Sequence, residues 1–370
     1  MRIGIVARNL GRQGNGVRRY ILSLIGALVA IDQKNEYVIY YDQESYLGKN
    51  PSVIERAIKM PTRLLWDHIA LPVAVKRDGI DVLLCTRNVV PPLVTCKSMV
   101  TIYDISPILH PRYYNLTDSL YLNLGIRWSI RKSNAIIAIS QNTKADLVSK
   151  LGANPAKIHC VYLAMDENYQ LIEDRARLEN VRDKYNLPSE FILSVSSLEP
   201  RKNLPKLIKA FSLAKERPEV THKLVMIGST RRQHLAIFNE MRASPVREEI
   251  VWLNFVPEED LPAIYNLATL FVFPSLYEGF GLPLLEAMAC GCPVVCSNTS
   301  SLPEIAGDAA ILVDPTSIEQ LADGICRVLT EDNLRNSLIK KGLKTASSFS
   351  WERAAKETLE VFEAVYKGAT

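Results

Sequence analysis

The 370-residue chain has no apolar run long enough to cross a bilayer. Its longest runs, such as residues 267–273, fall well short of the roughly 18 residues a spanning helix needs. The opening MRIGIVARNL leads directly into a strand-like segment. It lacks the apolar core and small-residue cleavage site of a signal peptide, so a cytoplasmic location is expected. The seven cysteines are an odd number, which argues against a disulfide framework and fits a reducing compartment. Cys290, Cys292 and Cys296 lack zinc-site spacing and have no histidine nearby, so they read as small buried hydrophobes. No single-sign charge dominates: 44 Lys and Arg face 40 Asp and Glu, and both signs are spread along the chain. That balance excludes a nucleic-acid binder and leaves room for an anionic substrate or membrane surface. Low-complexity segments and short repeats are also missing.

Short β-branched runs alternate with amphipathic segments. In the first half, strands are predicted at residues 3–7, 37–41, 81–85, 99–103, 135–140 and 158–163, with helices at 17–30, 116–132 and 142–151 between them. A polar stretch at 166–186 follows, and the pattern restarts with strands at 191–195, 223–227, 250–255, 269–273, 293–297 and 310–313. Helical patterns at 318–329 and 351–366 close the chain. Near-continuous apolar strands separated by helices imply parallel sheets covered on both faces. The length suits two domains. The fold class is α/β, with two doubly wound Rossmann-like domains. In such sheets ligands bind beyond the carboxyl ends of the strands.

Three strand exits carry candidate chemistry. After the first strand, Gly11-Arg-Gln-Gly14-Asn-Gly16-Val-Arg-Arg19 could bring backbone N–H groups and a helix N-terminus to an anion. Arg19 stands where a dinucleotide fingerprint needs its third glycine, and a ligand-free turn explains the loop alone as well. In the second half, Ser196-Ser-Leu-Glu-Pro-Arg201-Lys202-Asn203 places two cations at a strand exit, suited to clamping a diphosphate, with Asn203 as a helix N-cap. A solvated basic pair is the plain alternative. The densest signal is Phe273-Pro-Ser275-Leu-Tyr-Glu278-Gly279-Phe280-Gly281-Leu282-Pro283-Leu-Leu-Glu286-Ala-Met-Ala-Cys-Gly291. It combines a glycine loop, Pro283 in the first turn of a helix and Gly291 at its end. Glu278 and Glu286 would repel a phosphate, so sugar hydroxyls are their expected partners. The alternative is that both simply complement the helix dipole.

At this point a resemblance is evident. Glu278-Gly-Phe-Gly-Leu-Pro-Leu-Leu-Glu286 resembles the E-x7-E motif of retaining GT-B glycosyltransferases of family 4. Ser197-Leu-Glu-Pro-Arg-Lys-Asn203 resembles that family's diphosphate loop in its mannosyl- and rhamnosyltransferase-like branch. The segments Pro293-Val-Val-Cys-Ser-Asn-Thr-Ser-Ser-Leu-Pro-Glu-Ile-Ala-Gly307 and Phe349-Ser-Trp-Glu352 resemble it too, as does Val100-Thr-Ile-Tyr-Asp-Ile-Ser-Pro-Ile-Leu-His-Pro111. The likeness covers nearly the whole chain and is loosest before residue 100. It implies a GT-B fold whose domains face each other across a cleft: an acceptor domain at 1–170, a nucleotide-sugar domain at 188–348, and a helix at 349–370 crossing back. Hinges are expected at 166–186 and 347–350.

The resemblance also implies roles. Arg201 and Lys202 would bind the donor pyrophosphate, and Glu278 would contact the transferred sugar. Gly279, Phe280, Gly281 and Leu282, next to Ser275, would supply backbone N–H groups. Glu286 would hold the ribose, Val256 would lie near the base, and Gly16 would pack near the phosphates. Tyr103 and Asp104 occupy the place where the family often has His-Asp. A tyrosine cannot shuttle protons near neutral pH as histidine does. A nucleotide-sugar-binding protein without transfer activity is therefore a second reading. A Rossmann oxidoreductase is disfavoured by Arg19, and His110 reads as structural. No Asp-x-Asp occurs anywhere in the chain, so the expected reaction is metal-independent and needs no cofactor besides the nucleotide diphosphate sugar. Expected partners are that donor and a glycan or lipid-linked acceptor, met near Gly14, Arg87-Asn88 and His110. A peripheral membrane contact through residues 63–77, which contain Trp66, is the alternative to a core-facing helix there.

Overall fold

A computed structural model describes residues 1–8, 10, 16–42, 53–230 and 235–368. Gly11 and Gly14 lie outside the described residues. The chain forms two compact units, Met1–Leu163 with Ser350–Thr370, and Ala164–Phe349.

The first unit holds seven strands: β1 (Arg2–Val6), β2 (Glu36–Tyr41), β3 (Val53–Ala57), β4 (Val82–Cys85), β5 (Lys97–Ile102), β6 (Ala135–Ala138) and β7 (Ile158–Cys160). They pair in the order β3-β2-β1-β4-β5-β6-β7, every pair parallel. The second unit holds β8 (Phe191–Val195), β9 (Lys223–Ile227), β10 (Ile250–Leu253), β11 (Leu270–Phe273), β12 (Val294–Ser297) and β13 (Ala310–Val313). Their order is β10-β9-β8-β11-β12-β13, again all parallel. The central strands VLLC of β4 and LFVF of β11 are buried at every position. Helices cover both faces, so no position alternates towards solvent. The strand order reverses between β1 and β4 in one sheet and between β8 and β11 in the other. In doubly wound folds such switch points leave the ligand crevice.

Three departures from the sequence-based expectations have clear physical causes. β3 was not anticipated. It is an edge strand of sequence VIERA, only partly buried, whose Glu55 and Arg56 interrupt any apolar run. The polar stretch at 166–186 contains a helix, Arg175–Tyr185, with only Val181 buried. Asp174 caps it, accepting from the Arg177 N–H at 3.1 Å. Lys184 and Tyr185 anchor its far end on Asp260 at 2.7 and 2.6 Å. Residues 63–77 are helical, but a π-turn at Trp66–Ala70 separates Arg63–Leu65 from Leu71–Arg77. The Leu71 N–H reaches back to the Trp66 carbonyl, and Pro72 has no N–H to give, which is a known cause of such a bulge.

The last helix, Trp351–Lys367, belongs to the first unit and packs on the helix Gly16–Ile31. Ser350 caps it by accepting from the Arg353 N–H. Lys97 closes it, its ammonium donating to the carbonyls of Val365 and Tyr366 at 3.0 and 2.7 Å. A cation is favourable at a helix C-terminus.

Candidate active site

The second unit's switch point is built from two strand exits. Past β8, residues Pro200–Lys202 make one 3-10 turn and Asn203 adopts a left-handed conformation at φ 59° before the helix Leu204–Ala214. Asn203 stands at the expected cap position, but its side chain does not cap the helix. Its amide donates instead to the Pro315 carbonyl at 2.7 Å. Past β11, the loop 274–281 leads to the helix Leu282–Ala289, with Pro283 in its first turn. Gly281 at the helix start has φ 107°, and a Cβ there would lie 2.7 Å from Leu302 Cδ2. Only glycine suits that position. Gly291, just beyond the helix, is also left-handed at φ 69°.

These two exits bring Arg201, Lys202 and Glu278 together. Lys202 Nζ donates to Glu278 Oε1 at 2.5 Å, and Arg201 Nη1 donates to Oε2 at 2.9 Å. Lys202 and Glu278 are both buried. Lys202 Nζ also lies 5.0 Å from the centre of the Phe273 ring, within cation–π range. Burial would raise the Glu278 pKa, but Arg201 and Lys202 overcome it and hold the carboxyl down at about 2. The group is therefore a carboxylate at neutral pH. Arg201 has a second acid partner, its Nε lying 3.0 Å from Glu199 Oε2. Two cations and two carboxylates thus alternate at one strand edge.

The sequence suggested that Glu278 faces sugar hydroxyls. Here both its oxygens accept from the two cations, and each retains a further lone pair for a hydroxyl. Glu286, buried on the helix Leu282–Ala289, accepts from the Tyr265 hydroxyl at 3.1 Å. Ser275, Gly279, Phe280 and Leu282 are all buried along the same loop and helix start. Val256 is buried just past β10, beside exposed Asn254 and Phe255.

Several residues of this site escaped sequence reasoning. Ser300 accepts from the Glu278 N–H at 3.0 Å, and Ser301 Oγ lies 3.0 and 2.9 Å from the carbonyls of Glu278 and Phe280. Both serines fall in the 293–307 segment already singled out, but nothing in their type marks them as loop anchors. Gly228 was missed as well. A Cβ there would stand 1.7 Å from the Ser196 carbonyl oxygen, so the β9 exit can lie against the β8 exit only with glycine.

The remaining predicted residues sit in the first unit. Gly16 begins the helix Gly16–Ile31 and is exposed. The Tyr103 hydroxyl donates to the Thr86 carbonyl at 2.7 Å, its ring packs edge-on to Tyr20, and burial holds its pKa well above the ordinary value. Asp104 Oδ1 accepts from the Ser106 N–H at 2.8 Å and from its hydroxyl. Tyr103 thus ties the β5 exit to the β4 exit and the first helix, and Asp104 braces its own loop. The His110 ring lies 5.6 Å from that of Tyr113, tilted by 32°, a contact within three residues of chain.

Two family models together match most of the chain: Glycosyltransferase Family 4 over residues 14–169 and Glycosyl transferases group 1 over residues 179–345. The O-antigen chain mannosyltransferase B of Escherichia coli is 30% identical over 86% of this chain and 82% of its own length. A serotype-specific mannosyltransferase of Escherichia coli, WbdA, is 32% identical over 73% of this chain, which spans only 34% of that longer protein. Among solved structures, sucrose-phosphate synthase from Thermosynechococcus elongatus superposes with a TM-score of 0.77 at 17% identity, covering 100% of both chains. Anabaena HepE in complex with UDP and glucose gives 0.77 at 15% identity, over 98% of this chain and 100% of its own. Two parallel Rossmann-like sheets and these structural neighbours make the fold GT-B. By these matches the chain belongs to glycosyltransferase family 4 and is a glycosyltransferase.

Proposed function

We propose that the enzyme transfers a hexose, mannose-like, from a nucleotide diphosphate sugar with retention of configuration, in polysaccharide or glycoconjugate synthesis. The observation that carries this reading is the convergence of Arg201, Lys202 and Glu278 at the β8/β11 switch point. As the anomeric C–O bond breaks, negative charge grows on the leaving diphosphate. Preorganised cations stabilise it more in the transition state than in the ground state. Arg201 and Lys202 suit that role without a metal. The acceptor hydroxyl attacks the anomeric carbon on the face the diphosphate leaves, and the departing phosphate oxygen takes the hydroxyl proton. Glu278 positions both cations and offers its spare lone pairs to the sugar. Glu286, oriented by Tyr265, suits the ribose hydroxyls. Mannose is favoured by the names of the curated relatives.

A lipid-linked acceptor at a membrane surface is the finer part of the reading. The helix Leu116–Lys132 exposes Leu116, Leu120, Leu124 and Trp128, spaced four apart and 90, 62, 61 and 42% accessible. The neighbouring helical segment exposes Leu64, Ile69 and Val73. Contiguous apolar faces with basic ends suit the interface of an anionic bilayer.

The test is direct. The purified enzyme is incubated with GDP-, UDP- and dTDP-hexoses, with and without EDTA, and nucleotide release and product anomer are followed by NMR. EDTA-resistant release from GDP-mannose with an α-linked product supports the reading. Release that stops in EDTA, or an inverted product, sinks the corresponding part.

A further inference from the structure

The loop that carries Glu278 is held from a third strand exit. β11 pairs with β8 on one edge and with β12 on the other, so loop 274–281 runs between the Arg201-Lys202 exit and the exit of β12. Three consecutive hydroxyl residues, Thr299, Ser300 and Ser301, stand just past β12, and each reaches the backbone of the loop. Thr299 Oγ1 donates to the Leu276 carbonyl at 3.3 Å. Ser300 Oγ accepts from the Glu278 N–H at 3.0 Å and gives its own hydrogen to the Thr299 carbonyl at 2.7 Å. Ser301 Oγ lies 3.0 Å from the Glu278 carbonyl and 2.9 Å from that of Phe280. A hydroxyl has one hydrogen, which these two acceptors share. Serines thus take both backbone groups of Glu278, while cations take both its carboxylate oxygens.

Each serine gives up something to make these contacts. Ser300 is left-handed at φ 54°, where a residue with a Cβ is strained and glycine would not be. Such strain persists only where the surrounding structure enforces it, and it gathers at functional sites. Ser301 stands at the N-cap of the helix Leu302–Ala306, where a serine ordinarily accepts from the free N–H groups, yet it makes no such bond. Its fully buried hydroxyl serves the loop instead. These contacts also orient the next peptide units. In a planar trans peptide the N–H points opposite to the C=O. Turning the carbonyls of Glu278 and Phe280 to Ser301 therefore turns the N–H groups of Gly279 and Gly281 away from the β12 exit. Neither N–H has a hydrogen-bond partner among the described residues.

We propose that Ser300 and Ser301 are positioning residues for sugar transfer. Ser300 fixes the backbone from which Glu278 reaches Arg201 and Lys202, and Ser301 aims the N–H groups of Gly279 and Gly281 at the nucleotide diphosphate sugar. This rests on the donor role proposed for the loop, and it makes the β12 exit the part that sets the loop's geometry. Donors aimed in advance stabilise developing charge without reorganising, so a loosened loop slows the chemical step more than it weakens donor binding.

Nucleotide release from GDP-mannose and from UDP- and dTDP-hexoses is measured for the full-length wild type, Ser301→Ala and Ser300→Gly. Both variants are expected to lose roughly ten- to a hundredfold in kcat, with KM for the donor changed no more than about threefold. Ser300→Gly should melt close to the wild type, because relief of the left-handed backbone offsets the lost hydrogen bond. A bracing role alone would make turnover follow melting temperature. The aim of the N–H groups is read separately by NMR. Glu-Gly and Phe-Gly each occur once in the chain, so carbonyl-labelled glutamate or phenylalanine with nitrogen-labelled glycine picks out the amides of Gly279 and Gly281. Both signals should shift when the same donors are added to the wild type, and the shift should shrink severalfold in Ser301→Ala. The inference is overturned if both variants keep the wild-type kcat, or if Ser300→Gly loses turnover only in step with its melting temperature. It is equally overturned if neither amide responds to any donor, or if both respond as fully in Ser301→Ala. An amide response that Ser301→Ala removes, in a protein that transfers no sugar, would sink the proposed reaction and leave this clamp standing.

Discussion

The two sheets repeat one strand order around their switch points, but each switch point arranges charge in its own way. In the second unit a carboxylate sits between two cations that are adjacent in the chain, and Glu278 satisfies both Arg201 and Lys202. In the first unit, cations from three separate segments gather round Asp67 and lean on Trp66 and Tyr121. One arrangement is a balanced set of ion pairs on loops that only glycines at 228 and 281 permit. The other is a cluster of arginines around one carboxylate, with two of them on aromatic platforms. A shared topology thus supplies only the crevice, and the exit residues decide what can occupy it.

The largest expected effect separates catalysis from architecture in the second unit. Lys202→Ala should cut turnover by roughly a hundred- to a thousandfold, the usual loss for one transition-state donor. Glu278 would remain paired with Arg201 and the fold would persist. Glu278→Gln should be equally inactive. Steady-state nucleotide release measures both, and turnover near the wild-type rate in either would break the assignment.

Next comes acid sensitivity. Glu278 is held at about 2 against an ordinary 4.5, a depressed value, so its contribution is complete above the ordinary value and disappears as pH falls towards 2. The full contribution is on the order of 3 kcal/mol. Urea unfolding at pH 7 and pH 3 should show the wild type losing more stability than Glu278→Gln. Parallel losses would mean that Glu278 titrates normally.

Backbone effects should be smaller. Gly281→Ala places a Cβ against Leu302 at φ 107° and should cost about 1–3 kcal/mol. A melting temperature equal to the wild type's would show that the loop relaxes freely. The smallest effect is expected from Tyr265→Phe, which removes the donor to Glu286 and should cost about 1 kcal/mol. It should weaken nucleotide affinity more than it slows turnover, and a pure loss of turnover would move Glu286 to the reacting sugar.

The difference between the switch points also governs what was legible in sequence. Arg201-Lys202 and Glu278 to Glu286 are local motifs, so their strand exits could be read directly. Thr86-Arg87, Arg8 and Arg63 are far apart in the chain; the pairing of β1 with β4 brings the first two together, and Asp67 ties Arg63 to Arg8. Arg87 could be singled out at its strand exit, whereas the aromatic platforms could not be foreseen. Central strands were legible because burial on both faces leaves continuous apolar runs. Edge strand β3 and the helix Arg175–Tyr185 were not, because Glu55 and Arg56 break the apolar run of the one and only Val181 of the other is buried. The π-turn was hidden because Pro72 alone does not specify where the extra residue of the turn will fall.

The ion pairs at Glu278 have a consequence for selectivity among anions. A carboxylate tethered beside Arg201 and Lys202 is an internal competitor present at a high effective concentration, typically of millimolar order or above for tethered groups. Free inorganic phosphate must displace it with nothing else to hold on to. On the donor-binding role proposed for this loop, a diphosphate attached to a nucleoside and a sugar arrives with further points of attachment. The enzyme can therefore stay largely unoccupied by the phosphate pool around it and still admit its donor.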